Sequence, residues 1–102
     1  MKNLTLIIHT NAQQDLADQL RSMELVSGFS FSHVEGHGVQ AESDPFLSAR
    51  DKVVGYTPRV RVDLLLEDND VDSILNNLRK SIKGMENHGV FWITAVEQSG
   101  RL

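Results

Sequence analysis

The amino-acid sequence predicts an α+β fold in which four strands and two helices follow one another in the order βαββαβ. Two observations lead to this prediction. Four short segments are β-branched or alternate between apolar and polar residues, as strands do, and two longer segments have the 3.6-residue period of amphipathic helices. Because 102 residues suffice for one modest core, residues 1–102 are expected to form a single domain.

The first half of the chain contains a strand, a helix and a second strand. Residues 3–9 are apolar and β-branched, which favours a strand. Apolar residues then recur at helical spacing, which predicts a helix over about 11–24 with Thr10 or Asn11 as its N-cap. From Gly28 the period changes to two, which predicts the second strand. One face of that strand carries Phe29, Phe31, His33, Glu35 and His37.

The second half begins with a long loop over about 39–57, a length that is usually functional within a compact domain. A third strand starts at Pro58, and its apolar face consists of Val60, Val62, Leu64 and Leu66. The acidic run 67–70 suits a helix N-terminus, and the amphipathic helix that follows is closed by Gly84. Residues 90–96 are predicted to form the fourth strand.

This order of elements is typical of the ferredoxin-like fold, a four-stranded antiparallel sheet with two helices on one face. Two helices can cover only one face of such a sheet, and an apolar second face needs covering too. The strand residues that point to this second face still include Thr5, Ile7, Leu65 and either Trp92 or the pair Phe91 and Ile93. Oligomerisation through that face is the simplest explanation, and a monomer with a partly apolar exposed sheet is the alternative.

Composition excludes several classes of function. The sequence has no cysteine, which excludes disulfides, zinc–thiolate sites and thiol nucleophiles. Its net charge of −4 and scattered basic residues argue against a nucleic-acid partner. No apolar stretch is long enough to insert into a membrane, and no signal peptide is recognisable, so a cytoplasmic location is expected.

No enzymatic activity is expected either. A hydroxyl nucleophile needs a base within hydrogen-bond reach. Ser32 and His33 are adjacent on one predicted strand, where neighbouring side chains point to opposite faces. The sequence therefore contains no recognisable catalytic pair.

Two runs of the sequence resemble the PII family of signal-transduction proteins. Residues 28–40 look like the family's second strand and its G-x-G-x-Q turn, here Gly36, Gly38 and Gln40. Residues 51–66 are similar to the strand that follows the family's T-loop, and the acidic turn 67–72 matches as well. The pattern is most similar to the short, divergent PII-like proteins of bacteria whose genes lie beside heavy-metal efflux pumps.

The resemblance implies a regulatory homotrimer with nucleotide-binding clefts between subunits. It also implies a T-loop at about 39–57 that docks on a target, for this group a membrane transporter or its regulator, and a B-loop at about 83–89. Carried over residue by residue, the adenine-nucleotide positions are Ser30, Gly36, Gly38, Gln40, Gly84, Gly89 and Arg101.

The sequence departs from the family at cationic positions. Val90 stands where the family has a lysine, Val39 replaces an arginine, and Arg101 has no second arginine after it. Losing two of these three cationic partners is expected to weaken triphosphate binding by about 3–6 kcal/mol. Lys52 stands at the position of the modified T-loop tyrosine, so nucleotidylation is not expected there.

A metal site is the second hypothesis, similar to the trimeric CutA group of metal-tolerance proteins. Three side chains project from one face of the second strand: His33, Glu35 and His37. With His88 from the B-loop they could bind a divalent transition metal, since imidazole and carboxylate suit Zn²⁺ and its neighbours. Alternatively, His33 and Glu35 pair with Arg59 or Arg61 across the sheet.

Phe46 and Leu47 lie in the long loop and are predicted to contact a partner, since an apolar pair in a polar loop is either buried or bound. The charged residues around them, Lys52 among them, would orient that partner. A module that binds partners without any ligand is the third hypothesis.

Overall fold

The computed structural model describes residues 1–37, 57–82 and 89–102. The strands and helices are β1 (Lys2–His9), α1 (Gln13–Ser22), β2 (Ser30–Gly36), β3 (Thr57–Leu66), α2 (Val71–Ser81) and β4 (Val90–Ala95). Except for Thr57 and Gly89, the predicted T-loop and B-loop lie outside the described residues.

The four strands form one antiparallel sheet in the order β2-β3-β1-β4. The helix α1 follows β1 and leads to β2, and α2 follows β3 and leads to β4. The predicted ferredoxin-like α+β fold is therefore confirmed. The structure also begins β3 at Thr57 rather than Pro58 and ends β4 at Ala95.

The core lies between the helices and one face of the two central strands. Leu4 pairs with Leu64 and Leu6 with Val62 in the β1–β3 register, and all four are buried. Leu16, Leu20, Ile74 and Leu78 of the helices are buried in the same cluster. Each such leucine or isoleucine stabilises the fold by about 1.5–3 kcal/mol through burial of its side chain.

The first helix starts differently from the prediction. Thr10–Ala12 form a 3₁₀ turn, and the backbone N–H of Asn11 donates to Nδ1 of His9 at 3.1 Å. The imidazole of His9 thus caps this turn, and α1 itself begins after Ala12, so the prediction of Thr10 or Asn11 as N-cap was wrong. The reason is that the 3₁₀ turn moves the first unpaired N–H groups one residue towards the strand.

The sheet face opposite the helices is called the open face below. Its side chains belong to the alternate residues of each strand: Asn3, Thr5, Ile7, Ser30, Ser32, Val34, Arg59, Arg61, Asp63, Leu65, Val90, Trp92 and Thr94. Trp92 pairs with Thr5 and therefore lies on this face, whereas Phe91 and Ile93 lie on the helix side. Leu65 and Trp92 are 44% and 41% exposed.

Candidate functional site

A polar cluster occupies the centre of the open face and converges on the carboxylate of Asp63. Thr5 Oγ1 donates to Asp63 Oδ1 at 2.8 Å, and Arg61 Nε donates to Oδ2 at 2.9 Å. Asn3 Nδ2 donates to Oδ1 at 3.4 Å. The guanidinium of Arg61 also lies 5.6 Å from the ring centre of Trp92. Side chains from β1 and β3 therefore hold this carboxylate in place, and Trp92 of β4 packs on the guanidinium of Arg61.

The electrostatics of the cluster favour an ionised Asp63. The hydrogen bond from Arg61 lowers the pKa of the Asp63 carboxyl, and the bonds from Thr5 and Asn3 lower it further, against partial burial, which raises it. The same contact raises the pKa of Arg61. A negative charge is therefore held beside the Arg61 guanidinium at the centre of the open face.

A cavity of about 420 Å³ lies beside this cluster, where β2 begins. Its lining includes Ser30, Asp63, Leu65, the connector residues 27–29 and Arg101. The volume lies in the range of small-molecule sites, and the lining mixes apolar walls with a hydroxyl, a carboxylate and a guanidinium. Ser30 and Arg101, both predicted nucleotide-binding residues, thus line one cavity.

The other predicted nucleotide-binding residues do not lie near Ser30 and Arg101 within one chain. Gly36 ends β2, a seven-residue strand that spans about 20 Å from Ser30. Gly89 precedes β4, at the opposite edge of the sheet from β2. Gly38, Gln40 and Gly84 lie outside the described residues.

Gly36 is packed against the strand that follows the long loop. A Cβ at this position would lie 2.6 Å from Cγ of Arg59 and 3.2 Å from the carbonyl oxygen of Thr57. Both are buried, with Arg59 only 8% exposed. A side chain at position 36 would therefore displace Arg59 or separate β2 from β3.

We expect Gly36→Ala to destabilise the fold by about 1–3 kcal/mol, because overpacking forces side-chain and backbone shifts. Gly28→Ala is the matched control, since a Cβ there has nothing within 4 Å. The control is expected to stay within about 1 kcal/mol of wild type. Urea unfolding of both variants measures the difference, and equal stabilities would contradict the packing at Gly36.

The predicted metal ligands are only partly brought together. Glu35 Oε2 and His37 Nε2 lie 3.5 Å apart at the end of β2. Among residues 1–37, 57–82 and 89–102, no three histidine, aspartate or glutamate side chains are grouped so as to hold a metal ion. His88 lies outside those ranges.

The alternative in which His33 and Glu35 pair with Arg59 or Arg61 across the sheet was wrong. His33 pairs in register with Val60, and Glu35 pairs with Pro58. Directly paired residues share a sheet face, so His33 and Glu35 lie on the helix side and the two arginines on the open face.

The predicted partner-binding residues Phe46, Leu47 and Lys52 lie outside the described part of the chain. Conversely, the cluster contains two residues that sequence reasoning missed, Asp63 and Asn3. The sequence alone shows that Asp63 is a carboxylate on the face of β3 opposite the core. Its hydrogen-bond partners on β1 follow only from the strand register.

The fold and the open face together define a ferredoxin-like α+β domain with a polar cluster and a cavity on the sheet face opposite α1 and α2. Within the described ranges, no helix is both long and apolar enough to cross a membrane. The family model described as "Protein of unknown function (DUF3240)" matches residues 1–102, and the chain belongs to this family.

A solved structure supports the fold. The chain is similar to the crystal structure of a DUF3240 family protein from Shewanella baltica OS155, with a TM-score of 0.77 and 22% sequence identity. The match covers 99% of this chain and 94% of that chain. At this identity the likeness shows that the two chains share a fold.

Proposed function

We propose that this protein is a PII-like regulatory binding protein, not an enzyme, that binds a small ligand at the open-face cavity. The observation that carries the proposal is the meeting of Ser30 and Arg101 at one cavity. These residues are far apart in the sequence, and the resemblance to PII proteins assigns each of them to nucleotide binding independently of the cavity. The sequence pattern of residues 28–40 and 51–72 supports the same class.

Assembly is the second part of the proposal. The open face carries exposed Leu65, Val90 and Trp92, and neither α1 nor α2 covers it. Burying such a patch against further copies of the same sheet recovers its hydrophobic free energy. We therefore place the open faces of three copies around one axis, with the helices outside.

The charges at the cavity select among adenine nucleotides. Arg101 supplies one guanidinium for a phosphate, whereas Asp63 on the same lining is a carboxylate already paired with Arg61 and offers no donor to a second phosphate. Val90 replaces the lysine that would hold a longer phosphate chain. The preferred ligand is therefore a nucleotide with one phosphate, such as AMP, rather than ATP.

Calorimetry with AMP and ATP tests this proposal. We expect AMP to bind at least tenfold more tightly than ATP, and Arg101→Ala to weaken AMP binding by about 10- to 100-fold through loss of a charge-assisted bond. Arg21→Ala is the matched control, because Arg21 is an exposed arginine on α1 away from the cavity. If neither nucleotide binds at millimolar concentration, the proposal that the cavity binds an adenine nucleotide is wrong.

A divalent transition metal is the second candidate ligand, favoured by the Glu35–His37 contact. In that case Zn²⁺ titration of the same protein shows binding that His37→Ala abolishes while AMP binding is unchanged. Zn²⁺ binding that survives the substitution would exclude His37 as a ligand.

The output of the proposed regulator is docking through residues 39–57. Phe46 and Leu47 would enter an apolar pocket of a target, and Lys52 would set its orientation. A membrane transporter of the heavy-metal efflux type, or its regulator, is the proposed target, and the cytoplasm is the proposed location. This part of the proposal depends on the resemblance alone.

A further inference from the structure

A second cavity, called the helix cavity below, lies on the helix side of the domain, where the end of α1 meets the first half of α2. Its volume is about 350 Å³, at the lower end of the range of small-molecule sites. Met23, Leu25 and Ile74 form its apolar wall, and two amides, two hydroxyls and the carboxylate of Glu24 form its polar wall. It shares no lining residue with the cavity on the open face. The two cavities are therefore separate.

The polar wall of the helix cavity is organised by a hydrogen bond between the two helices. Gln19 Nε2 donates to Asn77 Oδ1 at 2.8 Å, and Ser81 Oγ donates to the same oxygen at 3.2 Å. Ser22 Oγ donates to the backbone carbonyl oxygen of Gln19 at 2.7 Å. Because these bonds use an N–H of Gln19 and the O–H of Ser22, the side-chain oxygens of both residues remain as acceptors on the lining.

The electrostatics of the helix cavity favour a positive charge. Within residues 1–37, 57–82 and 89–102, no lysine or arginine lines it, and the exposed carboxylate of Glu24 has no hydrogen-bond or ion-pair partner. The carbonyl oxygens at the end of α1 add the partial negative charge of a helix C-terminus. The start of α2 carries the opposite partial charge, which the carboxylates of Asp70 and Asp72 offset. A cation is therefore stabilised here, and an anion is not.

An ammonium group on a small carbon skeleton matches this lining. Such a group has three N–H donors for the oxygen acceptors and a positive charge for the carboxylate. Its skeleton would cover Leu25, which is 51% exposed, and would thereby bury apolar surface. A metal ion fits less well, because the lining offers it one carboxylate, and no three ligating side chains are grouped anywhere in the described part of the chain.

We propose that the helix cavity binds a small organic ammonium compound, with the amine at Glu24 and the side-chain oxygens of Gln19 and Ser22, and with the apolar part on Leu25 and Met23. The proposed assembly places the helices outside, so the cavity stays accessible in it. The inference goes beyond the proposed function and does not depend on nucleotide binding at the open face.

An NMR titration of backbone amides with three related probes tests this site. Phenethylamine carries the ammonium group, 2-phenylethanol replaces it by a neutral hydroxyl on the same skeleton, and phenylacetate carries a carboxylate. We expect phenethylamine to bind with a dissociation constant of about 1–10 mM, as suits so small a ligand, and to shift amides of residues 19–25 and 73–77. The alcohol should bind about three- to fivefold more weakly, because it lacks the ion pair with an exposed carboxylate, and phenylacetate should not bind.

Glu24→Gln should remove the preference for the amine and leave binding of the alcohol unchanged. Glu97→Gln is the matched control, because it removes the same charge after β4, where Glu97 lines neither cavity. Equal losses in the two variants would show that net charge, and not Glu24, attracts the amine, and would overturn the proposal. Equal affinity of the wild-type protein for amine and alcohol would overturn it too. Amide shifts at residues 27–30 instead would place the amine at the open face, and no shifts well above the expected dissociation constant would exclude the site.

Discussion

Replacing Leu65 by glutamate is expected to convert the proposed trimer into single chains of 11.4 kDa. Leu65 lies on the open face and is 44% exposed in one chain. In the proposed assembly it is buried between copies, and each copy would place a carboxylate in an apolar contact beside Asp63. Burial of an unpaired charge costs several kcal/mol per copy, which exceeds what an ordinary trimer contact recovers at this position.

The matched control is Leu25→Glu. Leu25 is 51% exposed, about as accessible as Leu65, but it lies in the connector after α1 and faces a cleft formed by helix residues such as Gln19 and Ile74. Sedimentation of this variant is expected to match wild type. If both variants remain assembled, the open face is not the contact between copies, and if both dissociate, the effect is not specific to that face.

Asp63→Ala is expected to lower the stability of the fold more than any other substitution of an open-face polar residue. It leaves the hydroxyl of Thr5, which is fully buried, without its acceptor and removes the partner of Arg61. A buried polar group left without a partner costs about 1–3 kcal/mol. For a domain of this size about 2 kcal/mol corresponds to a fall of roughly 10 °C in the melting temperature.

The control for Asp63→Ala is Asp18→Ala. Asp18 also accepts hydrogen bonds, from Gln14 and Arg21, but these contacts lie exposed on the surface of α1. Exposed ion pairs contribute little, so Asp18→Ala is expected to change stability by no more than about 0.5 kcal/mol. Thermal unfolding at one chain concentration compares the two, and equal shifts would contradict a structural role for the Asp63 cluster.

Low pH should remove the stabilisation of the fold that the ionised carboxylate of Asp63 provides. Its pKa is lowered in the folded chain, chiefly by the hydrogen bond from Arg61, so the stabilisation is present above the ordinary carboxyl pKa of about 3.9 and is lost as pH falls through the lower folded value. The difference in stability between wild type and Asp63→Asn is therefore expected to be large at pH 7 and to shrink as pH falls below the ordinary carboxyl pKa of about 3.9. A difference that is constant with pH would show that the charge is not responsible.

The fold was predictable because its periodicities are local. The alternation around Val60–Leu66 and the helical spacing after Val71 each predict one element and its buried face without knowledge of the rest. The helix start was less predictable, since His9 acts as a cap only because the strand runs directly into a 3₁₀ turn.

The site was less predictable because it depends on register. Thr5 and Asp63 meet through the pairing of β1 with β3, and Trp92 joins the same face through the pairing of β1 with β4. A shift of one residue in either pairing would have reversed these faces, and the sequence alone left Trp92 or Phe91 and Ile93 as alternatives. Ser30 and Arg101 were reached only through the resemblance of the sequence to PII proteins.

Sedimentation equilibrium of the wild-type protein at micromolar concentration tests the central claim most directly. The apolar sheet face that neither α1 nor α2 covers predicts assembly, and the resemblance to PII proteins predicts a particle of three copies of the 11.4 kDa chain. A single stable chain of 11.4 kDa across that concentration range would contradict the proposed assembly and, with it, the proposed regulatory role.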